Sequence, residues 1–178
     1  MKECKNLYCI VGESGSGKTT IVDKLEETFG YKVLKSYTTR PPRNEGDTDH
    51  TFISLEEYGD LQNKVATCEF NGNFYCATAE QIEDSDLYVI DCAGIKELKE
   101  KYKGEKEIVV IYINTPMNIR LERMLKRGDE VDKAWDRLKH DYDAFRGVEG
   151  LADYILNGIP SYCWYEVARL IDIKEGRS

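Results

Sequence analysis

"GESGSGKTT", residues 12–20, is the stretch on which the reading of this chain turns. An apolar run, Leu7–Val11, leads into it. Ile21, Val22, Leu25 and Phe29 follow at helical spacing, and Gly30 stops them. The order is therefore strand, glycine-rich loop, helix. Gly12 to Thr19 fits G-x-x-x-x-G-K-[ST] in full. Glycines let such a loop fold its N–H groups inward around phosphate oxygens, and the following helix adds its positive end. On this pattern Gly12, Ser14, Gly15, Ser16, Gly17, Lys18, Thr19 and Thr20 cradle the phosphates of ATP. Lys18 reaches the β- and γ-phosphates, and the Thr19 hydroxyl ligates Mg²⁺.

The rest of the chain repeats the alternation. Leu87–Asp91 is an apolar strand ending in an acid, with Asp91 placed to hold a Mg²⁺-bound water. Ile108–Ile113 is apolar on both faces, as a central parallel strand is. Tyr154–Leu156 is a last short strand. Helices are expected at Ile95–Tyr102, from Pro116 as first helical residue to Arg127, and over Tyr162–Ile173. A stripe of Val131, Trp135, Leu138, Tyr142 and Phe145 marks one more helix. This is an α/β pattern with a mostly parallel sheet and helices on both faces, a three-layer fold.

Residues 36–80 break the rhythm. Val33–Thr38 reads as one strand, and Thr39–Thr51 as a loop rich in Pro, Arg, Gly and Asp. Ser54-Leu-Glu-Glu57 and Thr78-Ala-Glu-Gln81 are capping boxes, the first opening a helix to about Lys64. Val65–Phe70 and Phe74–Ala77 flank Asn71-Gly-Asn as a hairpin. The whole reads as an inserted subdomain.

The 178 residues fit one domain. A net charge of −8 argues against non-specific nucleic-acid binding. No apolar run is long enough to span a bilayer, and the N-terminus shows no signal-peptide pattern, so a cytoplasmic protein is expected. Six cysteines occur without a C-x-x-C pair and read as buried hydrophobes in a reducing compartment. The arginines gather in two places, first Arg40 and Arg43, then Arg120, Arg123 and Arg127. Pro41 and Pro42 stiffen the first pair, and two forked guanidinium groups in a stiff loop suit a dianionic phosphate. A second phosphate site suggests a small-molecule acceptor that is itself a phosphate ester. No N-K-x-D motif for reading guanine in a GTPase is present.

Ser36-Tyr-Thr-Thr-Arg-Pro-Pro-Arg43 after such a loop resembles the guanylate kinase family. So do His50–Glu57, Gly72–Tyr75, Val89–Gly94, Leu121–Gly128 and Tyr154–Asn157. The resemblance implies a CORE (residues 1–35, 81–126 and 138–178), an NMP-binding subdomain (about 36–80) and a short LID (about 127–137). It implies that Arg40, Arg43 and Tyr75 hold the acceptor phosphate, that Ser36 and Glu69 face guanine, and that His50, Thr78 and Asp91 border the acceptor. Arg123, Arg127 and Arg137 match the LID arginines, catalytic together with Lys18, Arg40 and Arg43. Asn157 falls near the donor adenine. The family's usual Tyr is His50 here, its Gly is Cys76, its base-contacting Ser or Thr is Ala77, and the first acid of its Asp-x-Asp is Val89. The implied activity is ATP-dependent phosphorylation of GMP or dGMP by a monomer or homodimer. Phosphorylation of another nucleotide or ribose phosphate, or phosphopeptide binding by a non-catalytic module, stays open.

Overall fold

The computed structural model describes residues 4–42, 45–70 and 72–177. In chain order the elements are β1 (Asn6–Val11), α1 (Lys18–Phe29), β2 (Val33–Leu34), β3 (Tyr37–Thr38), β4 (Thr51–Phe52), α2 (Leu55–Asp60), β5 (Lys64–Phe70) and β6 (Asn73–Thr78). There follow α3 (Ala79–Asp84), β7 (Leu87–Val89), α4 (Cys92–Lys101), β8 (Glu107–Asn114), α5 (Met117–Lys126), α6 (Val131–Ala144), β9 (Tyr154–Asn157) and α7 (Cys163–Lys174).

Five strands form one sheet in the order β2-β7-β1-β8-β9, every pair parallel. β1 lies at its centre and is buried along its whole length. Alternate side chains of β1 feed two separate cores. Leu7, Cys9 and Val11 pack with Val110 and Tyr112 of β8 and with Ile95 and Leu98 of α4. Tyr8 and Ile10 pack with Ile111 and Ile113 of β8, Leu25 of α1 and Val167 and Ile171 of α7. The period of two along a strand thus becomes helix, sheet and helix in three layers.

A second sheet, in the order β4-β3-β6-β5, is interposed between β2 and β7 of the first. β3 pairs parallel with β4 and antiparallel with β6, and β5–β6 is the expected antiparallel hairpin. Its register slips between Val65 and Cys68, where Ala66 sits at φ 52°. The bulge turns Thr67 toward α4, and its N–H and hydroxyl both donate to Glu97.

Several boundaries differ from the sequence reading. Val33–Thr38 is two strands: Val33 and Leu34 pair with β7, whereas Tyr37 and Thr38 pair with β4 and β6. The chain changes sheets at Lys35-Ser36. Both capping boxes form, but α2 stops at Asp60 because Leu61 turns extended (ψ 132°). β7 ends at Val89, and Asp91 caps α4 by accepting from Gly94 N–H at 2.7 Å. Pro116 is the N-cap of α5 and not its first residue, with ψ at 144°. In α6 the buried stripe is Ala134, Leu138 and Asp141, while Val131, Trp135 and Tyr142 are exposed. All six cysteines are free thiols; five are buried and Cys68 is partly buried.

Candidate active site

The loop between β1 and α1 is built by its glycines. Gly15 (φ 77°) and Gly17 (φ 103°) are left-handed, and a Cβ on Gly15 would lie 2.7 Å from the Arg120 carbonyl oxygen. Gly17 is the N-cap of α1, so no side chain caps that helix and its first turn carries no acid. By contrast Ser54, Thr78 and Asp91 cap α2, α3 and α4. The first N–H groups of α1 are thus left for an anion from outside the chain. Ser16 Oγ is buried and makes no hydrogen bond among the described residues. The Ser14 N–H is taken by Asp141 and the Ser16 N–H by the Glu13 carbonyl, so the donor set is the uncapped first amides of α1 with an inward lysine and a threonine hydroxyl, and it fits a nucleotide triphosphate with Mg²⁺.

Lys18 folds back over the loop, and its Nζ donates to the carbonyls of Gly12 and Glu13. Burial pushes its pKa down to about 8, against the pull of Asp141 and Glu13.

Two clefts open on either side of the loop. The first, about 570 Å³, is bounded by the loop with Thr19 and Thr20, by Arg123, Arg127 and Arg137, and by Gly158, Ser161 and Trp164. The second, about 760 Å³, holds Gly12 and Asp91, Cys68 and Glu69 of β5, and Arg137, His140 and Asp141 of α6. Ser14, Lys18 and Arg137 line both. A smaller cleft of about 240 Å³ gathers Thr19, Ser36, Asp49 and His50.

The expected residues divide among these places. Arg123 braces the first cleft: its guanidinium donates to the Ser16 carbonyl at 2.9 Å and the Gly158 carbonyl at 2.8 Å. Arg127 and Arg137 meet at Asp129, Arg127 through two bonds of 2.8 and 2.7 Å and Arg137 through one of 3.3 Å. Asn157 accepts from Ile159 N–H at 3.0 Å, shaping the turn after β9. Asp91 and Glu69 are exposed in the second cleft, whereas Thr19 lines the first and third.

Arg40 is held by Asp47 at 2.9 Å and lies 5.2 Å over the Phe52 ring. Its Nε and NH2 are buried and donate to nothing among the described residues, a fork suited to an incoming phosphate. Burial opposes its charge, but the bonded carboxylate of Asp47, with the Tyr75 hydroxyl nearby, holds its pKa above the ordinary arginine value. His50 stands 5.5 Å from the Tyr75 ring, and its Nδ1 shares a 2.9 Å hydrogen bond with Ser36 Oγ. Thr78 is placed elsewhere: it is buried, and its hydroxyl oxygen accepts from Gln81 N–H as the cap of α3. Ala77 and Cys76 are fully buried. Arg43 lies outside the described residues.

Sequence reasoning did not single out Asp141, nor the ion pairs that Arg120 makes with it and with Glu13. Asp141 lies on the buried stripe of α6, and a polar residue in such a stripe is visible only once the helix phase is known.

A phosphate loop at the end of the central strand of a parallel sheet, with a mixed sheet inserted after β2, defines a P-loop kinase-like α/β protein. A crystal structure of guanylate kinase from Anaplasma phagocytophilum matches this fold with a TM-score of 0.68 at 18% identity, covering 100% of this chain and 90% of that one. The chain belongs to the guanylate kinase family, whose model matches residues 4–158. A guanylate kinase of Geobacter metallireducens is 35% identical over 151 residues, 77% of this chain and 72% of its own length. One of Chlamydia caviae is 30% identical over 184 aligned residues, 95% of this chain and 88% of its own.

Proposed function

We propose that this protein is an ATP-dependent nucleoside monophosphate kinase that transfers the γ-phosphoryl group of ATP to GMP, giving ADP and GDP. The observation that carries the reading is the meeting of two clefts at Ser14, Lys18 and Arg137. One cleft contains the triphosphate loop and the other contains Glu69 and Asp91. A phosphoryl group passing from one to the other crosses the line of contact.

The acceptor phosphate is already an anion and needs little activation. The barrier lies in bringing two polyanions together. Lys18, Arg127 and Arg137 spread the charge of the transferring group, and Arg40 aims the acceptor. Thr19 would hold Mg²⁺, which supplies further charge neutralisation when bound. Glu69 offers two acceptor oxygens to adjacent N–H donors on a purine edge. Asp129 holds Arg127 and Arg137 until phosphates replace it. In this reading residues 36–80 form the acceptor-binding subdomain and 127–137 a short lid, both closing on the CORE to exclude water.

Coupled measurement of ADP formation tests the reading. With ATP and Mg²⁺, ADP should accumulate when GMP or dGMP is added and stay at background with AMP, CMP, UMP or ribose phosphates. Turnover with another acceptor and none with GMP would reject it.

A further inference from the structure

Helix α6 carries Arg137 and Asp141 one turn apart on one face, and both line the second cleft. Asp141 is only 6% exposed. Its Oδ2 accepts the Ser14 N–H of the phosphate loop at 2.7 Å and lies 3.6 Å from Arg120 NH1. Its Oδ1 lies 3.6 Å from His140 Nδ1. Arg120 is equally buried; its Nε donates to the Thr115 carbonyl at 3.0 Å, and its NH2 is 3.6 Å from Glu13 Oε1. Glu13 Oε2 in turn accepts from the Tyr112 hydroxyl at 3.1 Å. One carboxylate thus joins α6 to the loop directly and to α5 through a buried arginine.

A carboxylate that served only to neutralise Arg120 would have no need of the loop amide. Here the shorter contact is the charge-assisted bond to Ser14, and the arginine is the more distant partner. A bond from a helix to the loop fixes how far that helix stands from the loop. Arg137 rides on the same helix, on the same face, four residues earlier.

We propose that Asp141 is a positioning residue: by tying α6 to Ser14 it sets the place of Arg137 between the two clefts. The proposal rests on the reading that Arg137 faces the transferring phosphates. A plain buried ion pair would stabilise the fold without regard to Arg137, so the two roles separate in a double-mutant cycle.

Wild type, Arg137→Ala, Asp141→Ala and the double variant are compared in kcat with ATP and GMP, and in affinity for a non-hydrolysable ATP analogue with Mg²⁺. Melting temperatures are measured alongside. Asp141→Ala should lower kcat about tenfold or more, as a helix displaced by about 1 Å would. The double variant should then be no slower, and bind the analogue no more weakly, than Arg137→Ala alone. Losses that multiply, an Asp141→Ala enzyme at wild-type rate and affinity, or an Arg137→Ala change that alters neither would overturn the proposal. Should Asp141→Ala fail to fold, Asp141→Ser carries the same cycle, because its short side chain does not reach Ser14. The analogue needs no acceptor, so a wild type that fails to phosphorylate GMP rejects the acceptor assignment while the affinity cycle still decides the role of Asp141.

Discussion

Lys18 is a cation that burial weakens. Its pKa of about 8 in the nucleotide-free protein means that it is charged at neutral pH and loses its proton as pH rises through 8. Phosphates beside it restore the charged form, so between pH 8 and its value in the complex the bound protein carries more protons than the free one. By linkage, affinity for Mg²⁺-ATP is greatest below pH 8 and falls above it. Calorimetric titrations at pH 8.5 in buffers of different ionisation enthalpy should show proton uptake on binding; proton release, or none, would contradict this. Arg40 is the opposite case, a guanidinium already held by Asp47 with two donor nitrogens unspent among the described residues. Arg40→Ala is expected to cut kcat about 100-fold or more while the affinity for an ATP analogue stays within about twofold. An equal loss of ATP affinity would move Arg40 out of the acceptor site. At this scale the backbone of the glycine-rich loop was legible in the sequence, because left-handed glycines ahead of a helix follow from local spacing. Thr78 carried two readings, a capping box and a border of the acceptor, and the capping box is the one that forms.

The elements show where periodicity informs and where it misleads. β8 declared itself by a run of apolar residues, and β1 by the shorter apolar run before the glycines; both are buried along most of their length. α6 was rightly placed as a helix but wrongly phased. Trp135 and Tyr142 are large and apolar, yet 42% and 74% exposed, and the packed stripe runs through Ala134, Leu138 and Asp141. Partners on α5 decide the phase: Met124 and Leu121 meet Ala134 and Leu138 there. Leu138→Ala should therefore cost about 2–5 kcal/mol of unfolding free energy. Tyr142→Ser, three-quarters exposed and lying beside the Arg146 guanidinium, should cost less than about 1 kcal/mol. Denaturant melts of both variants give the comparison, and a reversed order would refute the observed phase. Val33–Thr38 was misread for a related reason. Alternation along a segment says that it is extended, not which sheet each half joins.

Across the whole molecule the two ends of the described chain are fastened together. Glu175, just beyond α7, accepts hydrogen bonds from Lys5 N–H at 2.9 Å, Asn6 N–H at 3.2 Å, Asn6 Nδ2 at 2.7 Å and the Tyr8 hydroxyl at 2.8 Å. Burial works to raise its pKa, but these donors win and hold it below the ordinary value of 4.5. Glu175→Ala leaves several buried donors without a partner and should destabilise the fold by about 3 kcal/mol or more. A depressed carboxylate contributes stability that is complete above its unfolded pKa and lost as pH falls through the folded one. Glu175→Gln should accordingly flatten the loss of stability below pH 4.5, read from melting temperature against pH. No helix among the described residues is long and apolar enough to cross a membrane. The inserted sheet, lastly, has roots. Val65, Ala66 and Ala77 belong to the same core as Leu7, Cys9 and Leu98, and Thr67 is bonded to Glu97 of α4. The insert is therefore not a cassette. A chimera that exchanges residues 37–78 alone would bring in a foreign underside against a native α4, and only grafts that carry the matching face of α4 with them should fold.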